Sequence, residues 1–391
     1  MNKPRRRRWQ AWLPEGADAN PAGDCCPDPI ALGYLHQSDP HSDGEKEVSA
    51  EPIVVDLLLI GAGPVGLYGA YYAGFRGLCV GVLDSLPQVG GQISALYPQK
   101  DIYDIAGLPR IKGQDLVDNL VAQAAPFAPR YILGSEAEIL RRDGDELVVT
   151  TADGTSVRSG AVVITAGVGS ASPRPLPCGE EFLGRGLHYF VPDLSTFDGK
   201  DVVVVGGGDS AVDWALAAVA RARSVTLVHR RQQFRAHEHS VARLHESVCD
   251  LVLDAEVGKL FADDAEQISA VEVCRKGVDT PKRVDAQVVV AALGFKLNLG
   301  PIASWGLTLS KRAIVVDPAM CTNIPGVFAA GDITTHAGKV KLIAVGFGEV
   351  ATAVNNAAVT INPDLGLSPG HSSDAPPPGS DQFAVSTAAT I

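Results

Sequence analysis

DVVVVGGGDSAVDWALAAVARARSVTLVHRRQQFR, residues 201–235, is the stretch that settles how this chain folds. Its β-branched run, Val202 to Val205, has no polar face and predicts a strand buried on both sides of a parallel sheet. The run enters Gly206-x-Gly208-x-x-Ala211, with Asp209 and Ser210 inside the motif. A helical Ala-, Leu- and Val-rich segment follows, then a second apolar run, Val225 to Val228. Strand, glycine turn, helix and strand make the unit that sets a pyrophosphate on a helix N-terminus. The residues after the second strand choose the ligand. Where an NAD site places a carboxylate on the ribose hydroxyls, this chain has His229, Arg230 and Arg231, with Arg235 close behind. A carboxylate would repel a 2′-phosphate, whereas guanidinium forks match it with paired hydrogen bonds. The unit reads as an NADP(H) site.

A second unit of the same kind lies upstream and ends in the opposite charge. IVVDLLLI, residues 53–60, reads as another buried parallel strand and leads into Gly61-x-Gly63-x-x-Gly66, with Pro64 opening a helix. The next apolar run, LCVGVLD, ends on Asp84, 23 positions after Gly61. That is close to the ~20 expected of a carboxylate that holds ribose hydroxyls. An ADP moiety without a 2′-phosphate is expected here. Two dinucleotide units of opposite ribose chemistry predict two cofactors, FAD at the first and NADPH at the second. Together they imply hydride transfer, with the cofactors doing the chemistry and the protein doing the positioning.

The bulk composition describes an ordinary soluble globular protein of two domains, possibly three: 391 residues, 46% hydrophobic and 20% charged. A net charge of −12 argues against nucleic acid as a partner. The seven cysteines (Cys25, Cys26, Cys79, Cys178, Cys249, Cys274, Cys321) form no C-x-x-C pair, as expected of buried or inert thiols in a reducing cytoplasm. No apolar run reaches the ~18 residues of a membrane helix. The basic start, MNKPRRRRWQ, lacks the apolar segment of a secretory signal. A cytoplasmic protein with no membrane contact is expected. His237-Glu238-His239 has H-x-H spacing and no third ligand, so no metal is expected.

The predicted fold class is α/β: two Rossmann-like, three-layer ββα domains, the NADP-binding one inserted into the FAD-binding one. Residues 1–52, rich in Pro, Gly, Asp, Ser and Arg, are expected to form a disordered extension. Residues 53–168 form the first part of the FAD domain, 169–294 the NADP domain, 295–373 the second part of the FAD domain and 374–391 a flexible tail. Within this frame Gly90-Gly91-Gln92 reads as a loop able to run along a flat ligand, and 114–125 as an amphipathic helix. Segments 131–140, 146–151 and 155–165 read as strands. The chain is expected to cross between domains near 168–180, stiffened by Pro173, Pro175 and Pro177, and to return near Gly294. Tyr97 is either a ring stacked on the isoalloxazine or a loop aromatic filling a corner of the core. Asp332, ending the FAAGDI run, either contacts the ribityl or pyrophosphate region or is a simple turn aspartate. A helix over about 341–356 would bring its N-terminal dipole to reduced flavin.

GAGPVG, LPQVGGQ, ALYP, YDIAG, ITAG, HYFVPD, GGGDSAVDWAL, HRRQQFRAHEHS, SWGL, TNIPGVFAAGDI and GKVKLIAVGFGE stand in this order along residues 61–349. The set resembles the thioredoxin-reductase-like type of bacterial ferredoxin–NADP reductase, and the likeness covers about residues 53–373. It implies a homodimer with FAD and NADPH in each subunit and ferredoxin or flavodoxin as partner. Asp84 would contact the FAD ribose, Gln92 and Gly91 the flavin region, and Tyr97 one isoalloxazine face. Ala137 and Ala171 would line the FAD site, with Asp332 in its GD motif. His371 and Ser373 match the family's tail, whose histidine covers the other flavin face from the partner subunit. The family more often has Glu at Asp84 and an aromatic at Ala171.

Thioredoxin reductases of this architecture carry a C-x-x-C in the NADPH domain, and this chain has no cysteine between Asp201 and Val248. Hydride reaching flavin N5 then has no protein dithiol to pass to. The expected activity is NADPH–ferredoxin electron transfer, with hydride going to FAD and single electrons to the carrier. No acid–base residue is required. The alternatives are a disulfide reductase of thioredoxin-reductase type and a non-catalytic flavoprotein that senses NADPH. The Arg221, Arg223, Arg230, Arg231, Arg235 and Arg243 cluster would partly hold the 2′-phosphate. Its remainder would either steer an acidic carrier or form a solvated helix face.

Overall fold

The computed structural model describes residues 51–167 and 169–371. The chain begins a five-stranded parallel sheet, leaves it to build a second, and returns to finish the first. In spatial order the first sheet is Val327–Ala329, Ala161–Ile164, Leu57–Ile60, Val80–Asp84 and Arg130–Leu133. Leu57, Leu58 and Leu59 are fully buried because both faces of the sheet are covered. Each such side chain contributes about 1.5–3 kcal/mol of burial. One face carries helix α1, Pro64–Phe75, opened by proline at its first position. The other carries a four-stranded sheet whose Leu147, Val149 and Val157 belong to the same core.

Three of the expected strands divide where the chain changes layer. Segment 53–60, expected as one buried strand, splits into Ile53–Val54, which pairs with Ser156–Ser159 in the four-stranded sheet and leaves Val54 exposed, and Leu57–Ile60 in the parallel one. Segment 155–165 breaks at Gly160 into Ser156–Ser159 in the four-stranded sheet and Ala161–Ile164 in the parallel one. Segment 131–140 likewise divides into Arg130–Leu133 and Ala137–Asp143. Periodicity marks extended backbone but says nothing of which sheet it joins. The Gly90-Gly91-Gln92 segment is partly helical: Gln92 opens a short helix α2, Gln92–Leu96. Helix α3, Gly113–Ala124, falls where amphipathicity placed it.

The second sheet runs Leu187–His188, Val288–Ala292, Asp201–Gly206, Ser224–His229 and Asp250–Leu253, again all parallel. Alternate residues of its central strand enter different cores. Val203 and Val205 pack toward a three-stranded antiparallel sheet with Val257, Val271 and Val273. Val202 and Val204 pack toward helices α4, Asp209–Val219, and α5, Glu238–Glu246. This is why the run carries no polar face. Ser170–Pro173 and Phe295–Asn298 pair as an antiparallel ribbon and carry the chain out and back. Val327–Ala329 and the 19-residue helix α6, Ile343–Ile361, then complete the first unit.

Gly61 marks where the packing is least forgiving. Its φ is +113°, and a Cβ there would stand 2.5 Å from the Thr165 carbonyl oxygen. At Gly63 a Cβ would meet nothing within 4 Å. Gly61→Ala is therefore expected to lower unfolding stability by about 1–3 kcal/mol from backbone strain alone, with the clash added. Gly63→Ala should change it by less than about 1 kcal/mol. Urea denaturation of the two variants compares them; equal stabilities would contradict this packing.

Candidate functional site

A cleft of about 510 Å³ opens at the carboxyl ends of the first sheet. Its floor is the first glycine turn. Gly61 donates its N–H to Leu83 O at 2.7 Å, and Thr165 Oγ1 donates to Gly61 O at 2.9 Å. A Cβ on Gly66 would come 1.8 Å from Gly61 O, so the helix lies directly on the turn. Asp84 bends back over it: one carboxylate oxygen accepts from Ala62 N at 2.6 Å, the other from Leu86 N at 2.8 Å. Burial raises the Asp84 carboxyl above its usual range, against the pull of these two N–H groups. Among the described residues no cation sits beside it, and its remaining lone pairs can accept further hydrogen bonds from hydroxyl donors.

Gly63, Pro64, Gly91, Gln92, Tyr97, Ala137, Gly331 and Asp332 line the same cleft, so residues from distant parts of the chain converge. Tyr97 faces the cleft and packs on the core of Leu67, Ile93 and Val117. Its hydroxyl is pushed up by burial, lowered by Lys100 and raised by Asp332, which places Asp332 at the Tyr97 end. Burial also raises Asp332, against the fields of Lys341 and Lys339. Ile343, the first residue of α6, reaches the cleft, and that helix has no side-chain cap or acidic residue in its first turn. Its open N–H groups suit an anionic edge. Ala171 is described by backbone alone, in the crossing ribbon. Ser373 and the 1–50 and 374–391 segments lie outside the described residues, and His371 is exposed at their border.

The second glycine turn is built alike. Gly206 passes under Ala292, and Gly208 caps α4 with Asp209, Ser210 and buried Ala211 in its first turn. Arg235 N donates to Gly207 O at 2.8 Å, and His237 N donates to Asp209 Oδ1 at 2.9 Å. The turn is thus tied to the basic loop. His229 points inward: it is buried, stacks on Phe234 at 5.4 Å, and lies so close beneath Gly207 that a Cβ there would strike the ring. Burial lowers its pKa, with Arg230, Arg231 and Arg235 adding to the effect. It supports the turn from below, while Arg230, Arg231 and Arg235 stand exposed. Arg221 and Arg223 are held by Asp198 and Asp201. The two units meet where Lys100 Nζ lies 2.6 Å from Asp213 Oδ2 on α4 and 5.7 Å from the Tyr97 ring centre.

Sequence reasoning missed several cleft residues. Thr165, which pins Gly61, stands in the ITAG motif, where a threonine ending a strand carries no signal of its own. Ser135, Glu136 and Leu299–Ile302 reach the cleft from loops without any motif. Phe190, from HYFVPD, is the cleft residue contributed by the segment 174–294. Among the described residues no two cysteines form a disulfide. Burial raises Cys178, Cys321 and Cys249, the last to about 11, away from the thiolate that disulfide exchange requires. Among the described residues no cluster of three His, Cys, Asp or Glu could hold a metal, and no helix is long and apolar enough to cross a membrane.

Residues 55–357 match the family model described as pyridine nucleotide-disulphide oxidoreductase. A ferredoxin–NADP reductase of Salinispora tropica is 57% identical over 320 residues, 82% of this chain and 98% of that one. A ferredoxin–NADP reductase of Thermus thermophilus is 48% identical over 330 residues, 83% of this chain and 98% of that one. Among solved structures, the thioredoxin reductase of Lactococcus lactis superposes with a TM-score of 0.67 at 25% identity, covering 78% of this chain and 99% of that one. That of T. acidophilum superposes with a TM-score of 0.68 at 24% identity, over 78% and 98%. The chain therefore has the thioredoxin-reductase fold without its dithiol. It belongs to the pyridine nucleotide-disulphide oxidoreductase family and, within it, to the ferredoxin–NADP reductases.

Proposed function

We propose that this protein transfers electrons between NADPH and ferredoxin, with FAD in the first cleft and NADP(H) on the second glycine turn. The observation that carries the reading is the pair of glycine turns, one closed by Asp84 and the other rimmed by Arg230, Arg231 and Arg235, in a chain 48–57% identical to named ferredoxin–NADP reductases. FAD supplies the exchange between a two-electron hydride donor and a one-electron carrier. The protein's own part is binding and alignment.

Residues 53–168 and 295–373 are assigned to FAD, and 169–294 to NADP(H). Asp84 accepts from the ribose, the Gly61–Gly66 turn cradles the pyrophosphate, and Tyr97 supports the flavin. The Lys100–Asp213 pair joins the Tyr97 segment to the helix that presents the second phosphate site, which favours holding the two cofactors in register. Arg243 and the guanidinium groups left over from the 2′-phosphate offer an acidic ferredoxin an encounter surface. Flavodoxin is the second carrier considered. A homodimer, with His371 of the partner subunit over the free flavin face, and a cytoplasmic location complete the reading. A disulfide reductase is disfavoured by the absence of a C-x-x-C and by burial that pushes up the Cys178 and Cys249 thiols.

The deciding experiment records the visible spectrum of the purified protein. It then follows NADPH-driven cytochrome c reduction with and without added ferredoxin. A yellow protein whose rate depends on ferredoxin supports the reading; a colourless one that takes up no FAD ends it. Replacing Arg230 and Arg231 together by Ala should raise KM for NADPH far more than for NADH. Each lost charged contact is worth about 1.5–3 kcal/mol, and equal effects on both coenzymes would place the 2′-phosphate elsewhere. FAD binding should also depend on pH. Asp84 has a raised pKa in the apoprotein, and ribose donors favour its ionised form. Affinity is then full above that pKa and falls as the pH drops through it, the flavin's uptake releasing a proton. Titrating the apoprotein with FAD at descending pH measures this, and Asp84→Asn should bind weakly with the dependence gone.

A further inference from the structure

Beneath the Gly331–Asp332 turn lies a buried set of charges that the reading above does not use. Glu349, on α6, is 7% exposed, and the Lys339 side chain is equally hidden. Lys339 Nζ donates to both Glu349 oxygens at 2.6 Å and to Gly331 O at 2.9 Å. Glu349 Oε2 accepts from Gly331 N at 2.8 Å, and Oε1 lies 3.0 Å from His336 Nε2. Both polar groups of the Gly331 peptide are thus held by one ion pair. Gly331 and Asp332 line the cleft, and Asp332 is near enough to feel Lys341, Lys339 and Glu349.

An ion pair removed from water is a poor source of stability. Apolar residues of the same shape often serve as well or better. Here every oxygen of Glu349 has a partner. Burial alone would raise its carboxyl, but the bonds from Lys339, His336 and Gly331 outweigh that and hold it below its usual value. The same contact holds His336 protonated above its ordinary range. The charges persist in the interior, one turn of chain from the cofactor cleft, where screening by water is weak.

We infer that Glu349, with Lys339 as its counter-ion, is a positioning residue that sets the Gly331–Asp332 turn against FAD and tunes the flavin's reduction potential. The inference rests on the reading that this cleft takes FAD. A negative charge beside the flavin opposes the arrival of electrons, and a positive one favours it. The two members of the pair therefore act in opposite senses on the potential, although both act in the same sense on geometry.

The test uses the full chain, stripped of flavin and titrated with FAD by fluorescence quenching, together with redox titration of the reloaded protein against indicator dyes. Glu349→Gln should make the potential more positive and Lys339→Met more negative. Each should weaken FAD binding on the order of ten- to hundred-fold, as for loss of a charged hydrogen bond. Potentials that move in the same direction, or not at all, would reduce the pair to a structural brace and overturn the inference. If Lys339→Met fails to fold, Glu349→Gln alone decides by the sign of its shift. A wild-type apoprotein that binds no FAD would instead remove the underlying reading, an outcome separable from the first because no variant is needed to see it.

Discussion

Backbone must pass over backbone at the first glycine turn, and the site depends on that closeness. Gly61 lies against the Thr165 carbonyl and Gly66 against the Gly61 carbonyl, at separations that no Cβ could share. The contact brings the N-terminus of α1 to the end of the sheet without intervening side chains. Asp84 can then reach Ala62 N while still facing the cleft. A helix N-terminus favours negative charge, and the carboxylate at the far side offers acceptors to hydroxyls. A larger side chain at either glycine would push the helix away from the turn.

The second turn repeats the geometry and reverses the charge. Its backbone is tied to the loop that follows the second strand, through Arg235 N to Gly207 O and His237 N to Asp209. The His229 ring fills the space under Gly207, so the guanidinium groups beyond it project from a firm base. Between the two turns runs the Lys100–Asp213 pair, exposed enough that its worth is at most about 1 kcal/mol. A link of that strength leaves the two segments loosely tied. With no C-x-x-C in the sequence and the Cys178, Cys249 and Cys321 thiols pushed up by burial, electrons leave through the flavin to a separate carrier.

Much of the architecture was legible in local pattern. The apolar runs 53–60 and 202–205 read as strands covered on both faces; that holds for Leu57–Ile60 and for Val202 to Val205, whose alternate side chains pack into two cores, but not for the exposed Val54. Strands that bend between layers were not legible, because Gly160 and the 134–136 loop carry no periodic signal. The inward turn of His229 was equally hidden. Beside three arginines it looks like one more cation, and only packing against Phe234 and Gly207 shows otherwise.

By itself the sequence determined the two nucleotide units, their order and the sign of the charge that closes each. These are local features, written in residues a fixed distance apart along one strand–turn–helix–strand. What the tertiary structure alone decided is which distant residues share a cleft. Thr165 beneath Gly61, Phe190 at the rim and the Lys339–Glu349 pair behind Gly331 meet through sheet order and helix packing. Buried charge in particular leaves no mark in the sequence. A lysine and a glutamate ten positions apart look like surface until the fold takes them out of water.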